Sequence, residues 1–212
     1  EGLRDHGAYF HVDAAQSFGK ELEVLKNRRI DLISTSAHKL YGPKGIGALI
    51  MRRRDYDRPP ITPLCFGGGQ ERGLRPGTLP VPLIAGFGLG CELAVRHAGE
   101  RRKRNEAFRK EMLDHLASLE PTFHGDPTLA VPHTVNFSVK GVDSEALMVA
   151  WKDLVAVSNG SACTSSSYSP SHVLSAMGLT EEEISGAVRV SWCHMTPRVD
   201  WKRFVAVVDS LR

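Results

Sequence analysis

Apolar and polar positions divide the chain into three textures. In the first third, short β-rich runs alternate with tight, glycine-bearing turns. Residues 8–12 (AYFHV) are predicted as a strand ending in Asp13-Ala14-Ala15-Gln16, and 22–26 as a short amphipathic stretch. A second strand is predicted from residue 31 to 34 (DLIS). A buried strand over 46–51 (IGALIM) follows the turn Tyr41-Gly42-Pro43-Lys44-Gly45. Residues 52–63 are charged and proline-rich, and the glycine-laden stretch 67–80 reads as loop. A long helical region spans about 81–119, with Gly99 as a break between two helices. After residue 134 the pattern predicts a strand over 135–139 (VNFSV) and a helix over 143–151 capped by Asp143 or Ser144. A strand over 154–157 (LVAV) is expected to lead into the Ser/Gly-rich segment 158–167. A short helix over 170–177 capped by Gly178, a strand over 187–192 (AVRVSW) and a terminal helix over 199–211 complete the pattern. Apolar strands separated by helical or glycine-rich connections imply an α/β sheet, in which ligands gather at strand ends. The textures place a domain boundary near Gly99, with an α/β part over 1–98 and a smaller α+β part over 99–212.

Composition narrows this picture. With 212 residues, 42% hydrophobic and 24% charged, the chain can bury a core without disulfide staples. Its most apolar run, 81–91, contains Pro82 and three glycines and stops at Glu92, short of the ~20 residues that a membrane span needs. Residues 1–6 before Gly7 read as the last turn of a helix with its glycine cap, which points to a piece of something longer. Lys and Arg number 27 against 24 Asp and Glu, a net charge of +3, too small an imbalance for a dedicated DNA-binding domain. The run Arg101-Arg102-Lys103-Arg104 reads as the solvated face of a helix. Cysteines 65, 91, 163 and 193 form no C-x-x-C pair, so metal-ligand spacing is absent and a secreted disulfide framework is disfavoured. A reducing cytoplasm is the expected location.

Three local features stand out as chemistry. Asp13 lies at a strand end with Gln16 three residues on, although a turn or helix-cap aspartate is the ordinary reading. Ser36 and His38, two apart, project to one face of an extended segment and make a plausible phosphate grip. Lys39, next to them, would be a nucleophilic amine if burial lowered its pKa; alone it reads as a surface lysine. Cys163 sits among Gly, Ser and Ala, so an exposed, reactive thiol is expected rather than a core cysteine.

Taken together, HVDAAQS (11–17), STSAHKLYGPKGIGAL (34–49), GGGQERGLRPGTLPV (67–81), SNGSACTSSSYSPSHVLSAMGL (158–179) and AVRVSW (187–192) resemble the cysteine desulfurases. The strings occur in that family's order and cover essentially the whole chain, and SNGSACTS is similar to the NifS and IscS branch. The resemblance implies the fold of pyridoxal-phosphate (PLP) dependent aspartate aminotransferases (fold type I). Residues 1–98 would be part of the large PLP-binding domain, and 99–212 the small domain carrying the catalytic cysteine loop. It implies a homodimer that takes sulfur from L-cysteine, releases alanine and holds the sulfur as a persulfide for an acceptor protein. Lys39 would bind the cofactor covalently and serve as acid/base. Asp13 would pair with the ring nitrogen and Gln16 with the ring hydroxyl. Ser36 and His38 would hold the phosphate, and Thr78 would reach the partner subunit's cofactor phosphate. Arg189 would hold the substrate carboxylate, and Cys163 would attack the substrate sulfur.

Pro76 stands where many relatives have serine. Members of the family are nearly twice this length, and their N-terminal half supplies further cofactor contacts, so this chain carries part of a site. Cys65, Cys91 and Cys193 take no role from the resemblance. Iron–sulfur assembly, DNA sulfur modification (phosphorothioation) and tRNA thiolation are the candidate destinations of the sulfur, each through a protein and without direct nucleic-acid binding. The alternatives are a selenocysteine lyase or other class V aminotransferase-like enzyme, and a non-catalytic fragment that docks a sulfur acceptor.

Overall fold

The computed structural model describes residues 2, 4–126, 128–159 and 170–212, and they form two compact units, 1–98 and 99–212. Each unit is built on its own three-stranded sheet.

In the first unit β1 (His11–Asp13) runs parallel to β2 (Leu32–Ser36), and β2 pairs antiparallel with β3 (Gly47–Met51). The alternation of Leu32–Ser36 buries Ile33 and Thr35 on one face, as a half-covered strand requires. Ala14, Ile30 and Ile33 form a small core with Phe10, Val12, Phe18 and Leu25 packed against it. The strand expected to be buried, β3, is an edge strand instead. Among the described residues it pairs only with β2, and Leu49 and Ile50 remain exposed. Residues 4 and 5, expected in the last turn of a helix, form a turn.

Helix α1 (Val81–Arg96) starts with Pro82 in its first turn, where the missing N–H costs nothing. It stops at His97, two residues before the expected break, and α2 (Ala98–Leu116) follows.

The second unit has an antiparallel sheet of β4 (Thr122–Phe123), β5 (Thr134–Ser138) and β6 (Val188–Ser191), with β5 central. Val135 and Phe137 on β5, with Val188 and Val190 on β6, turn one face into a core that includes Met112, Leu116, Trp151, Trp201, Phe204 and Val208. Trp151 stacks on Phe204 with ring centroids 4.0 Å apart, and its indole N–H donates to the Phe204 carbonyl at 3.1 Å. Asp143 caps α3 (Ser144–Ala150) by accepting from Glu145 and Ala146 N–H. Asp200 caps the amphipathic α6 (Trp201–Asp209) in the same way. Between them lie α4 (His172–Ala176) and α5 (Glu181–Ser185). The latter was not expected, since its three leading glutamates carry no apolar period; a Thr180–Glu183 capping box starts it.

The apolar run 154–157 is not a strand. Leu154, Val155 and Val157 pack on the core, and among the described residues the backbone there makes a single bridge, from Ser158 to Arg189. The basic run on α2 is a solvated helix face, with Arg104 paired to Glu100 and Arg102 to Glu106, both at 2.8 Å. No helix among the described residues is long and apolar enough to cross a membrane.

Candidate active site

The parallel pairing of β1 and β2, with Asp13 opposite Ser34, brings both strands' C-terminal ends to one edge of the first sheet. Side chains on the turns after such strands collect at that edge. Asp13 ends β1 and is exposed. Its Oδ1 accepts the Ala15 N–H at 2.9 Å, so the ordinary turn role is present. A carboxylate has further acceptor sites beyond that bond. Gln16 is exposed on the turn that follows.

Ser36 is the last residue of β2, and the chain then tightens into one 3-10 turn, Ala37–Leu40. With three residues per turn, Ala37 and Leu40 fall on the same side. Both are buried, which turns His38 and Lys39 outward to solvent. The expected pairing of Ser36 and His38 is met, since Ser36 Oγ and His38 Nδ1 lie 2.8 Å apart. Its origin differs from the expectation: a strand-to-3-10 turn brings them together, not a continuous extended segment. Lys39 is exposed among the described residues, as its ordinary reading as a surface lysine has it, and the burial that would make its amine nucleophilic is not provided there.

The turn that carries Lys39 is clamped from three directions. The Ala37 N–H donates to the Ile46 carbonyl at 3.1 Å, and the Gly42 N–H to the Ala37 carbonyl at 2.9 Å. Tyr41 closes the turn at φ 69°. Helix α1 lies against it through small residues. A Cβ added to Gly90 would come within 2.9 Å of Leu40 Cδ1 and 3.5 Å of the Gly42 Cα, so a larger residue there would have to displace the Leu40 methyl. Gly47 is under a similar constraint, because a Cβ there would meet the Thr35 carbonyl oxygen at 2.5 Å. The spacing of Gly86, Gly90 and Ala94 was a legible signal for this packing face, and sequence reasoning overlooked it.

Thr78 is exposed on the loop before α1. The neighbouring Gly77, at φ 102°, donates its N–H to Gln70 Oε1 at 3.1 Å, which shapes the loop locally.

A second unexpected constellation surrounds Asp31. Arg54 binds this buried carboxylate bidentately, Nε to Oδ1 at 2.7 Å and Nη2 to Oδ2 at 2.8 Å. Arg29 Nη1 adds a bond at 2.9 Å, and the Phe10 N–H another at 2.7 Å. The Arg54 hydrogen bond, with help from Phe10 and Arg29, holds the Asp31 carboxyl far below the usual carboxylate range despite its burial. Arg54 also binds the carbonyls of Gly7 and Ala8 and lies 4.4 Å over the Tyr9 ring, so the cluster ties the start of the chain to the sheet.

In the second unit Arg189 is partly buried on β6, on the face opposite the core. It exchanges two backbone bonds with Ser158: the Arg189 N–H donates at 2.6 Å and the Ser158 N–H donates back at 3.2 Å. Ser158 is five residues before Cys163, and Cys163 itself lies outside the described residues. On the same sheet His124 Nε2 and Ser138 Oγ are 3.1 Å apart. Burial pushes the His124 pKa down, against the opposing pull of Glu183. Cys65 is exposed, and burial pushes the Cys91 thiol up. Among the described residues no cluster of His, Cys, Asp and Glu is fit to hold a metal ion.

The aminotransferase class-V family matches residues 1–204. The chain belongs to that family. It is 48% identical to a mitochondrial cysteine desulfurase of Arthroderma benhamiae over 187 residues, covering 88% of this chain and 37% of that protein. Among solved structures it resembles DndA from Streptomyces lividans at 42% identity and TM-score 0.76, covering 91% of this chain and 54% of the other. It also resembles SspA in complex with cysteine at 35% identity and TM-score 0.68, covering 89% and 51%. The chain thus spans about half or less of the length of these relatives. The fold is α/β, of the PLP-dependent fold type I that this family shares.

The residues at the first sheet's edge fit PLP chemically. A hydroxyl and an imidazole 2.8 Å apart suit a phosphate. A carboxylate on the adjacent parallel strand suits a ring nitrogen, and the exposed lysine next to His38 suits a carbonyl carbon.

Proposed function

We propose that the protein containing this chain is a cysteine desulfurase. The observation that carries the reading is the shared edge of β1 and β2, where Asp13, Ser36, His38 and Lys39 gather at the ends of two parallel strands. PLP would be held by Asp13, Gln16, Ser36, His38 and Lys39, with Thr78 reaching the partner subunit's cofactor phosphate, and would supply an electron sink for the charge that develops at the substrate Cα. The Lys39 amine moves the proton at that carbon. Arg189 receives the substrate carboxylate with its planar fork. The Cys163 thiolate attacks the sulfur of L-cysteine, forming an S–S bond while the C–S bond breaks and its electron pair stays on carbon. Protonation of that carbon gives alanine, and Cys163 keeps the sulfur as a persulfide. On this reading residues 1–98 belong to the cofactor-binding domain, and 99–212 form the domain that carries the nucleophile.

A homodimer is part of the reading. It is supported by the loop leading toward Thr78, where Leu64 and Phe66 are 98% and 79% exposed, apolar surface of the kind that marks a contact. The sulfur passes to an acceptor protein. The likeness to DndA favours DNA sulfur modification as one destination, beside iron–sulfur assembly. A cytoplasmic location suits the absence of paired-cysteine spacing.

Cys163→Ala in the full-length protein tests this. The expected outcome is loss of persulfide formation, with the cofactor absorbance band retained. Sulfur transfer at the wild-type rate would overturn the assignment of the nucleophile. Comparing turnover of L-cysteine, selenocysteine and cysteine sulfinate separates a desulfurase from a selenocysteine lyase.

A further inference from the structure

We infer that Asn136 is a positioning residue for the substrate carboxylate, acting through Arg189. The inference rests on the role given to Arg189 above and adds the group that aims it.

β5 and β6 are antiparallel, with Asn136 directly opposite Arg189. Side chains of such a cross-strand pair leave the sheet on the same face, with Cβ atoms about 4.5–5.5 Å apart. This is the polar face, since Val135, Phe137, Val188 and Val190 turn into the core on the other side. Across the same two strands Thr134 Oγ1 donates to Ser191 Oγ at 3.4 Å. On the far side of β6, Ser158 is bridged to Arg189 by two backbone hydrogen bonds. Asn136, Arg189 and Ser158 therefore form one row across the sheet, and the row ends on the segment that leads to Cys163.

Two complementary groups in this row have no partner among the described residues. Asn136 Oδ1 is shut off from solvent and accepts no hydrogen bond. The guanidinium of Arg189 is held by no described carboxylate or carbonyl. A buried acceptor without a donor is costly, and cross-strand register makes Arg189 its neighbouring donor. Guanidinium carries five N–H donors, of which a carboxylate uses two. Asn136 can therefore take a donor from the side and fix the plane of the fork while the bidentate edge stays open to substrate. An uncharged carboxamide suits this task better than an acid. An aspartate would hold the fork equally well, but it would cancel the charge that attracts the substrate carboxylate.

The test uses the full-length, cofactor-loaded protein with Asn136→Leu, which keeps the branched outline and removes the amide, and with Asn136→Ala. The expected result is a KM for L-cysteine raised about tenfold, in keeping with loss of a hydrogen bond to a charged group, with kcat within about twofold of wild type. Binding of cysteamine, which lacks the carboxylate, should be unchanged in absorbance titrations. Unchanged KM for L-cysteine overturns the proposal, and so does an equal weakening for cysteamine, which would mean a structural role. Should neither variant fold, Asn136→Asp keeps the shape; a raised KM for L-cysteine with unweakened cysteamine binding supports the proposal, and wild-type KM overturns it. Failure of the wild-type protein to form alanine from L-cysteine would sink the desulfurase reading itself, and this inference with it. That outcome is visible before any variant is made.

Discussion

The two units of this chain hold themselves together by different physics. The second unit buries a continuous apolar core on one face of its sheet, from Met112 and Leu116 through Trp151 to Phe204 and Val208. Among the described residues the first has a small core cluster of Ala14, Ile30 and Ile33, and it leaves Leu49 and Ile50 of its edge strand exposed. An apolar hollow of about 260 Å³, lined by Phe18, Leu25, Ile33, Ile50, Cys91 and Val95, lies within it. What fastens the first unit is polar and steric: the Asp31 ion cluster and the glycine-tight seating of α1 on the Lys39 turn. A site whose side chains face solvent needs a rigid backbone beneath it more than apolar mass around it. The clamp under Lys39 supplies that rigidity.

This contrast can be broken by experiment. The largest effect is expected from Trp151→Ala, which removes a fully buried indole, its stacking on Phe204 and a buried hydrogen bond. Denaturant unfolding of the full-length protein should show the second unit destabilised by about 4 kcal/mol. A cost under about 1 kcal/mol would mean that the apolar core is not what holds this unit.

Asp31→Asn should come next, at about 3 kcal/mol, since it leaves Arg54 and Arg29 facing a neutral group in a site built for a carboxylate. Its pH signature sharpens the point. The folded-state pKa of Asp31 is depressed, so its contribution is fully present above the unfolded carboxylate value, about 3.9, and is lost as pH falls below it. The variant's stability should therefore converge on that of the wild type in acid. A constant gap across that range would reject the ion cluster as the fastening.

The smallest effect belongs to His124. Its folded pKa is lowered by burial, so the unfolded chain takes up the proton first and stability falls as pH drops below about 6.5. His124→Gln should flatten this part of the curve for the second unit, and an unaltered slope would show that His124 is not its source.

Much of this organisation was legible along the chain, and the failures share one cause. The strands over Leu32–Ser36, Thr134–Ser138 and Val188–Ser191 and the caps Asp143 and Gly178 follow from period-two alternation and local hydrogen bonding. Ser36 and His38 were readable as neighbours because a separation of two is a local relation, whereas Asp13 and Lys39, which alone read as a turn acid and a surface lysine, were singled out by the resemblance. The run 154–157 has the composition of a strand, yet strand pairing requires a neighbour, and the described residues offer it only the Ser158 bridge. Burial of 46–51 was read from its apolar letters, although burial depends on what lies above the sheet. The Asp31 cluster reaches across 21 residues to Phe10 and 23 to Arg54, beyond any periodic signal.

The sequence by itself determined most of the elements and the residue types at each strand end, because propensity, capping and turn chemistry act within a few residues, and its motif strings carried the resemblance to the family. Only the tertiary structure decided which residues became neighbours. The parallel register of β1 and β2 sets Asp13 beside the Ser36–Lys39 turn, Gly90 admits α1 onto that turn, and the antiparallel register of β5 and β6 sets Asn136 across from Arg189. Those relations are fixed by hydrogen bonds and packing between segments far apart in the chain, which no local pattern encodes.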